Sequence, residues 1–178
     1  MLIPRQIAPG LAVGTLENGC FDLTAESPSR MTLICFYRGF HCPICSNYLK
    51  ELDRLTPAFT DRGVTTIAIS SDTEERARRM SHKIGSVHLR IGFGLELSNA
   101  REWGLYISAS RGESSIGIEE PALFSEPGVF LVKPDQSIYY VAVQSMAFGR
   151  PDFQEIIQAV DFVINNDYPA RGEYIGDL

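Results

Sequence analysis

The sequence predicts an α/β fold with a central mixed β-sheet flanked by helices on both faces, and three observations support this prediction. Apolar runs typical of buried strands alternate with helix-like segments through the first half of the chain. This alternation implies parallel strands joined by crossover helices. Residues 11–24 have the pattern of an N-terminal hairpin and residues 128–143 that of a late one, so antiparallel strands should join the sheet at one edge.

The first elements lead from a hairpin to a helix that starts at a cysteine. The hairpin turn is predicted at Glu17-Asn18-Gly19, because Asn and Gly both tolerate positive φ. Residues 31–37 are almost all apolar and predict a buried central strand. A helix is expected over residues 42–61, with Pro57 kinking or ending it and Gly63 capping it. Its predicted apolar face consists of Ile44, Tyr48, Leu52, Leu55 and Phe59.

The remaining elements complete a single predicted domain over residues 1–178. Residues 64–70 predict a second buried strand, and Ser71 or Asp72 can cap the helix that follows. Residues 106–125 are rich in Ser, Gly and Glu and are expected to be a loop or insertion. The other predicted elements are a helix ending near residue 84, a strand at 88–93, a short helix at 97–103, hairpin strands at 128–133 and 137–143, a helix at 151–166 and a C-terminal tail at 167–178.

The composition fits an ordinary globular protein and argues against some partners. Hydrophobic residues make up 44% of the chain and charged residues 21%, and the formal net charge is −6. A negative protein is a poor match for nucleic acid or an anionic membrane surface, so neither is expected as a partner. Arg76, Arg78 and Arg79 follow acidic residues and predict an exposed helix face. Since the start lacks a signal-peptide pattern and no segment approaches ~18 apolar residues, we expect a cytoplasmic protein.

The strongest motif is Cys42-Pro43-Ile44-Cys45 at the start of the predicted helix. A helix N-terminus carries a partial positive charge and free N–H groups, which stabilise an anion. The anion available here is a thiolate, so the pKa of Cys42 should be lowered and its reactivity raised. Pro43 suits the first turn, where a missing N–H costs little. Cys45 lies one turn further on and can close a disulfide with Cys42, so this pair is predicted to be catalytic.

Two residues before the motif are candidate supporting groups. Arg38 would lower the thiol pKa further if its charge lies near Cys42. His41 could move a proton, since its ordinary pKa lies near neutrality. The alternatives are that Arg38 only pairs with a surface carboxylate and that His41 is an exposed loop residue.

Other interpretations of the cysteines remain open at this point. A structural zinc site usually needs four ligands, and Cys20 and Cys35 do not form a second close pair. The motif could also be two inert core cysteines. We expect Cys35 to be a small buried hydrophobe and Cys20 a hairpin residue. No haem, flavin, nucleotide or metal motif is present, so no cofactor is predicted.

The segment 36–45, Phe-Tyr-Arg-Gly-Phe-His-Cys-Pro-Ile-Cys, resembles the active-site segment of the peroxiredoxin-like proteins of the AhpC/TSA family, in the thioredoxin-fold superfamily. Residues 63–72 and 127–136 are similar to later segments of the same family. The resemblance implies a thioredoxin-like fold, a hydroperoxide or disulfide substrate, an external dithiol reductant such as a thioredoxin or glutathione system, and self-association into a homo-oligomer. It also implies that Pro127 faces the cysteines after a cis peptide bond. The alternative is a trans proline that opens a strand.

The chain departs from the usual family pattern around its cysteines. Gly39 and Cys35 stand where typical members have a Thr and a Pro before the reactive Cys, and Glu126 or Pro127 stands in place of a distant Arg. Arg38 is a candidate substitute. Three functions therefore follow: a thiol peroxidase, in which the Cys42 thiolate attacks a hydroperoxide and Cys45 resolves the product; a thiol-disulfide oxidoreductase; or a redox-sensing module without turnover.

Overall fold

Hairpins at both edges flank a parallel centre in a seven-stranded sheet. The computed structural model describes residues 2–17 and 19–177, so Asn18 of the predicted turn lies outside the described residues. The strand order is β2-β1-β5-β4-β3-β8-β9, with β3, β4 and β5 parallel and the outer pairs antiparallel. The strands are β1 Ala12–Thr15, β2 Gly19–Asp22, β3 Met31–Phe36, β4 Val64–Ile69, β5 Arg90–Phe93, β8 Gly128–Val132 and β9 Ile138–Val143.

In the part of the chain that the structure describes, four helices cover the sheet, and they confirm the predicted fold class. One apolar core lies between the sheet and the helices α1, α2 and α4, and the other lies between the opposite sheet face, α3 and the N-terminal hairpin. β3 is buried throughout, and its alternate side chains enter the two cores, with Leu33 in the first and Ile34 in the second. The helices are α1 Pro43–Asp61, α2 Glu74–Ile84, α3 Leu97–Glu102 and α4 Phe153–Asn166.

The topology gathers three loops at one edge of the sheet. β3 and β4 run parallel, so their carboxyl ends meet there. β8 runs antiparallel to β3 and places Gly128 opposite Phe36. The segment from β3 to α1, the turn after β4, and Pro127 before β8 therefore lie at the same sheet edge.

Helix α1 continues through Pro57 to Asp61, so of the two predicted effects, a kink or an end of the helix, the second is wrong. A proline inside a helix costs about 3 kcal/mol, because it removes a hydrogen bond and crowds the preceding turn. Leu55 and Phe59 are both buried on either side of it, and each contributes about 1.5–3 kcal/mol by that burial. Packing therefore offsets the local cost. Gly63, with φ +72°, follows the helix, and its N–H donates to the Thr60 carbonyl at 2.8 Å.

Residues 106–125 contain regular structure that the composition does not reveal. β6 (Ile107–Ala109) and β7 (Leu123–Ser125) pair antiparallel as a separate two-stranded sheet, so the loop prediction is wrong for these residues. We call residues 107–125 the β6–β7 ribbon. The strands have three residues each, which is too short for an alternating pattern to stand out.

The cap of α2 and the Pro127 bond also differ from the predictions. Thr73, not Ser71 or Asp72, is the N-cap of α2, because the buried Asp72 side chain points to another loop. No cis peptide bond occurs among the residues described, so the bond before Pro127 is trans. Hydrogen bonds on both sides hold the extended chain: Glu126 N–H donates to the Tyr106 carbonyl at 2.7 Å, and the Pro127 carbonyl accepts the Gln144 N–H at 3.0 Å. A proline at the start of a strand costs no ladder bond.

The C-terminal tail is attached to the N-terminal segment. Ala170 is buried, and its carbonyl accepts Arg5 Nε at 2.9 Å. Arg5 also forms an ion pair with Glu173 at 3.2 Å. Among the residues described, no helix combines the length and apolar character that crossing a membrane requires.

Candidate active site

Cys42 is the N-cap residue of α1, directly before the first helical residue, Pro43. Its backbone is extended, with φ −96° and ψ 108°, and its Sγ accepts the backbone N–H of Cys45 at 3.3 Å. A sulfur thus occupies the place that a Ser or Asp oxygen fills at ordinary N-caps, where a negative charge is favoured. The predicted placement of the pair at a helix start agrees with the structure, and both cysteines are free thiols.

The two sulfurs have opposite acidities. The pKa of Cys42 falls to about 6, chiefly because it accepts a hydrogen bond from the Cys45 thiol, and further because of the Cys45 N–H and the charges of Arg150 and Arg38. Burial raises the pKa of Cys45 well above its usual value, and donating its proton to Cys42 raises it further. Near neutral pH the pair therefore holds one thiolate and one thiol, which is the state needed for attack followed by disulfide closure.

Arg150 contacts both sulfurs and was not found by sequence reasoning. Its Nη2 lies 3.1 Å from Cys45 Sγ and 3.9 Å from Cys42 Sγ. Its Nε donates to the Ala147 carbonyl at 2.7 Å, and its guanidinium lies 5.0 Å from the ring centre of Tyr48. Arg150 is 105 residues from Cys45 in the chain, so no local pattern connects them.

Tyr48 positions the loop that carries Arg150. Its hydroxyl donates to the Pro151 carbonyl at 2.6 Å, and its ring stacks on Phe153 with 4.2 Å between centres. Tyr48 and Ile44 were predicted to belong to the apolar face of α1, but both are only half-buried, while Leu49 is buried in that core. A half-buried tyrosine near the end of the site is explained by this polar contact.

Arg38 lies near the site without contacting a sulfur. Its Nε is 3.2 Å from Glu126 Oε2, its Nη2 is 3.8 Å from Glu120 Oε1, and its guanidinium carbon is 4.7 Å from the ring centre of Phe124. Its charge lowers the pKa of Cys42, but by less than the two hydrogen bonds from Cys45 or the charge of Arg150 do. The carboxylates that it pairs with are buried or half-buried, so the alternative of a merely superficial ion pair does not describe it.

His41 is fully buried, so the alternative of an exposed loop residue is wrong. Its pKa falls to about 4, chiefly because of burial and further because of the nearby charge of Arg38. The imidazole is therefore neutral at pH 7. Its Nδ1 lies 3.4 Å from Arg76 Nη2, and its ring packs against Phe124 with 4.6 Å between centres.

Asp72 fixes the backbone of the active-site loop. Its buried carboxylate accepts the Phe40 N–H at 2.7 Å and Arg76 Nε at 2.8 Å. Gly39 adopts φ +137°, and a Cβ there would lie 2.8 Å from Asp72 Oδ2, so this close approach requires glycine. Arg76 was expected on an exposed helix face, but it is half-buried between Asp72 and His41.

The other predicted residues have lesser places around the pair. Pro127 lies at the same sheet edge, as the register of β8 against β3 requires. Cys35 is fully buried, and burial raises its pKa to about 12, so it stays a thiol. Cys20 is exposed. Within residues 2–17 and 19–177, no cluster of three or more His, Cys, Asp or Glu side chains is arranged to hold a metal.

Comparison with known proteins agrees with this geometry. The family model described as AhpC/TSA family matches residues 4–141, which is most of the chain. The chain belongs to the AhpC/TSA family. It is accordingly a thiol oxidoreductase of the peroxiredoxin type. A search of curated protein sequences returned no match.

Solved structures of peroxiredoxins share the fold of this AhpC/TSA protein. A reduced 2-Cys peroxiredoxin of Plasmodium vivax matches with a TM-score of 0.74 and 17% identity, covering 94% of this chain and 84% of its own. AhpC of Enterococcus faecalis matches with a TM-score of 0.72 and 14% identity, covering 96% and 99%. A yeast mitochondrial 1-Cys peroxiredoxin matches with a TM-score of 0.73 and 17% identity, covering 94% and 78%. At these identities the structures establish the fold.

Proposed function

We propose that this protein reduces hydroperoxides, with Cys42 as the attacking thiolate and Cys45 as the resolving cysteine. One observation supports this more than any other: the Cys42 sulfur caps α1, accepts the Cys45 N–H at 3.3 Å, and lies 3.9 Å from the Arg150 guanidinium. Each of these contacts stabilises negative charge on the sulfur. The Cys45 thiol lies three residues further along the chain, in the first turn of α1, and donates a hydrogen bond to the Cys42 sulfur.

The proposed reaction has three steps. The Cys42 thiolate attacks the distal peroxide oxygen, the O–O bond breaks, and the departing alkoxide takes a proton to leave as an alcohol or water. The resulting Cys42 sulfenic acid is attacked by the Cys45 sulfur, which forms a disulfide and releases water. An external dithiol then reduces the disulfide through a mixed disulfide and is itself oxidised.

The proposed electron donor is a thioredoxin or glutathione system of the cytoplasm. The yeast mitochondrial 1-Cys peroxiredoxin is described as resolving its thiol via glutathione/thioredoxin systems. The same donors suit this chain, because a closed Cys42–Cys45 bond must be reopened for each turnover. A reducing compartment is where such donors act. Self-association into a homo-oligomer stays a prediction from the family.

The test combines peroxide turnover with identification of the oxidised sulfurs. With a dithiol donor, wild type should consume hydrogen peroxide, and Cys42→Ser should lose at least about 10²-fold of that rate, because its nucleophile is gone. The matched control is Cys20→Ser, which removes an exposed cysteine and should keep the wild-type rate. Mass spectrometry after peroxide and alkylation should show one disulfide, between Cys42 and Cys45. Equal slow consumption by wild type and Cys42→Ser would refute the proposal.

A second arrangement exchanges the roles of the sulfurs. Arg150 lies closer to Cys45, at 3.1 Å, than to Cys42, at 3.9 Å, which favours charge on Cys45. The raised pKa of the buried Cys45 opposes it. The two single variants separate these roles: the serine variant that still forms a sulfenic acid with one equivalent of peroxide retains the attacking sulfur. We expect that to be Cys45→Ser.

A thiol-disulfide oxidoreductase uses the same thiolate and thiol, so the substrate must be tested separately. The Cys45→Ser variant should form a mixed disulfide with a reduced donor only after peroxide has oxidised Cys42. If it instead traps disulfide-bonded proteins without any peroxide, and wild type turns over disulfides faster than peroxide, disulfide exchange is the activity.

A further inference from the structure

The β6–β7 ribbon contacts the active-site loop through one aromatic ring. Phe124 is 1% exposed, and its ring centre lies 4.7 Å from the guanidinium carbon of Arg38 and 4.6 Å from the ring centre of His41. Both residues belong to the loop that ends at Cys42. A buried aromatic face against a guanidinium fixes the position of the cation as well as stabilising it.

Two carboxylates from the same region pair with Arg38. Glu126, directly after the ribbon, is 5% exposed, and its Oε2 lies 3.2 Å from Arg38 Nε. Its Oε1 accepts the Ser108 hydroxyl of β6 at 2.7 Å. Within the ribbon, Glu120 Oε1 lies 3.8 Å from Arg38 Nη2, and Glu120 Oε2 accepts the Arg111 N–H at 2.8 Å. Both carboxylates are therefore themselves held in place by ribbon groups.

We propose that the β6–β7 ribbon and the adjacent Glu126 form a positioning element of the thiol site. Phe124 fixes the guanidinium of Arg38 within the loop that ends at Cys42, and Glu126 and Glu120 offset its charge. The proposal rests on the proposed function only in taking Cys42 as the reacting sulfur. It gives residues 107–125 a part in the chemistry although none of them contacts a sulfur.

The charges around Cys42 decide what each substitution should do. Arg150 faces Cys42 from the loop before α4, Cys45 faces it from α1, and Arg38 lies in its own loop. From α2, Arg76 reaches His41 rather than the sulfur. Because Glu126 offsets Arg38, removing the acid should leave more positive charge near the thiolate, whereas removing the base should leave less.

The experiment measures the acid dissociation of Cys42 directly in the reduced protein, by thiolate ultraviolet absorbance against pH in a Cys20→Ser background. Cys35 and Cys45 do not interfere, since both have raised pKa values. Glu126→Gln should increase the Cys42 acid dissociation constant about threefold, and Arg38→Met should decrease it about threefold. The exposed residues Glu119 and Arg101 provide controls: Glu119→Gln and Arg101→Met should leave it unchanged.

A double-variant cycle tests whether Glu126 acts through Arg38. In the Arg38→Met background, Glu126→Gln should shift the dissociation constant by less than half of its effect in wild type. An equal shift in both backgrounds, or no shift in either, overturns the proposal. Where Glu126→Gln does not fold, Glu120→Gln replaces it in the same cycle under the same criterion. Since the titration contains no peroxide, its result is independent of whether the protein proves to be a peroxidase.

Discussion

Two regions bring an arginine to the thiol pair, and they do so in different ways. The loop between β9 and α4 carries Arg150, which touches both sulfurs and forms no ion pair with a carboxylate among the residues described. The β6–β7 ribbon and the adjacent Glu126 instead surround Arg38 with an aromatic ring and two carboxylates. A nearby cation stabilises a thiolate only to the extent that carboxylates do not already neutralise the charge of the cation. The first region should therefore act strongly on Cys42 and the second weakly.

The largest effect is expected from removing Arg150. Arg150→Met takes a guanidinium away from both sulfurs, so the pKa of Cys42 should rise from about 6 toward the value of an ordinary cysteine. The thiolate fraction at neutral pH, and with it the rate of peroxide reaction, should fall about tenfold or more. Stopped-flow measurement of Cys42 oxidation at several pH values would show the fall shrinking as pH rises.

The matched control for this variant is Arg54→Met, which removes an exposed guanidinium from the outer side of α1. It should leave the rate and its pH dependence unchanged. If Arg38→Met slows Cys42 oxidation more than Arg150→Met does, then the carboxylates beside Arg38 do not weaken its effect on the thiolate.

An intermediate effect is expected at the two buried aspartates. Asp72→Asn weakens the acceptor for Phe40 in the active-site loop, and Asp53→Asn weakens the acceptor for Val87, His88 and Leu89 far along α1. Each should lower the free energy of unfolding by about 1–3 kcal/mol, because a charged acceptor of buried or part-buried N–H groups is replaced by a neutral one.

These two variants separate an effect of stability from an effect of loop geometry, because their expected losses of stability are equal and their locations differ. Only Asp72→Asn should slow peroxide reaction, by about threefold to tenfold, since only it loosens the loop before Cys42. Urea unfolding and oxidation kinetics of both variants provide the measurement. A rate loss of the same size in Asp53→Asn would mean that stability alone, rather than loop geometry, controls the reaction.

The smallest effect on the peroxide reaction is expected at His41, which contributes instead a pH dependence of stability. Its pKa falls to about 4 in the folded protein from 6.5 in the unfolded chain, so between these values the unfolded chain binds more protons. The contribution of His41 to stability is complete above pH 6.5 and is lost as pH falls toward 4. Relative to His41→Asn, wild type should lose about 1–3 kcal/mol across this window.

Denaturant unfolding at several pH values would measure this difference, with the exposed His82 as the control site. His82→Asn should follow the wild-type slope. If His41→Asn also follows it, then folding does not lower the pKa of His41.

The parts of this molecule that follow from local sequence could be predicted, and those that depend on distant contacts could not. The apolar run of β3 and the periodicity of α1 fixed the position of the cysteine pair at a helix start. Arg150 escaped detection because only the packing of the α4 region against Tyr48 brings it to the sulfurs. Phe124 and Glu126 escaped for the same reason, since their strands are too short to show a pattern. The bond before Pro127 is trans, and the chain around it is held by hydrogen bonds to Tyr106 and Gln144. A resemblance between short segments could not predict these contacts with distant residues.

The enclosure of the Cys42 side chain, which is only 1% exposed, has a consequence for which molecules the enzyme can meet. Access to a sulfur covered this well depends on the size of the reactant. Hydrogen peroxide is about the size of one or two water molecules and can enter through brief openings of the loop. Bulky hydroperoxides and folded proteins would have to wait for wider and rarer openings. The rates at which different hydroperoxides oxidise Cys42 should therefore follow their size first. Chemical reactivity should order the rates only among oxidants of similar size.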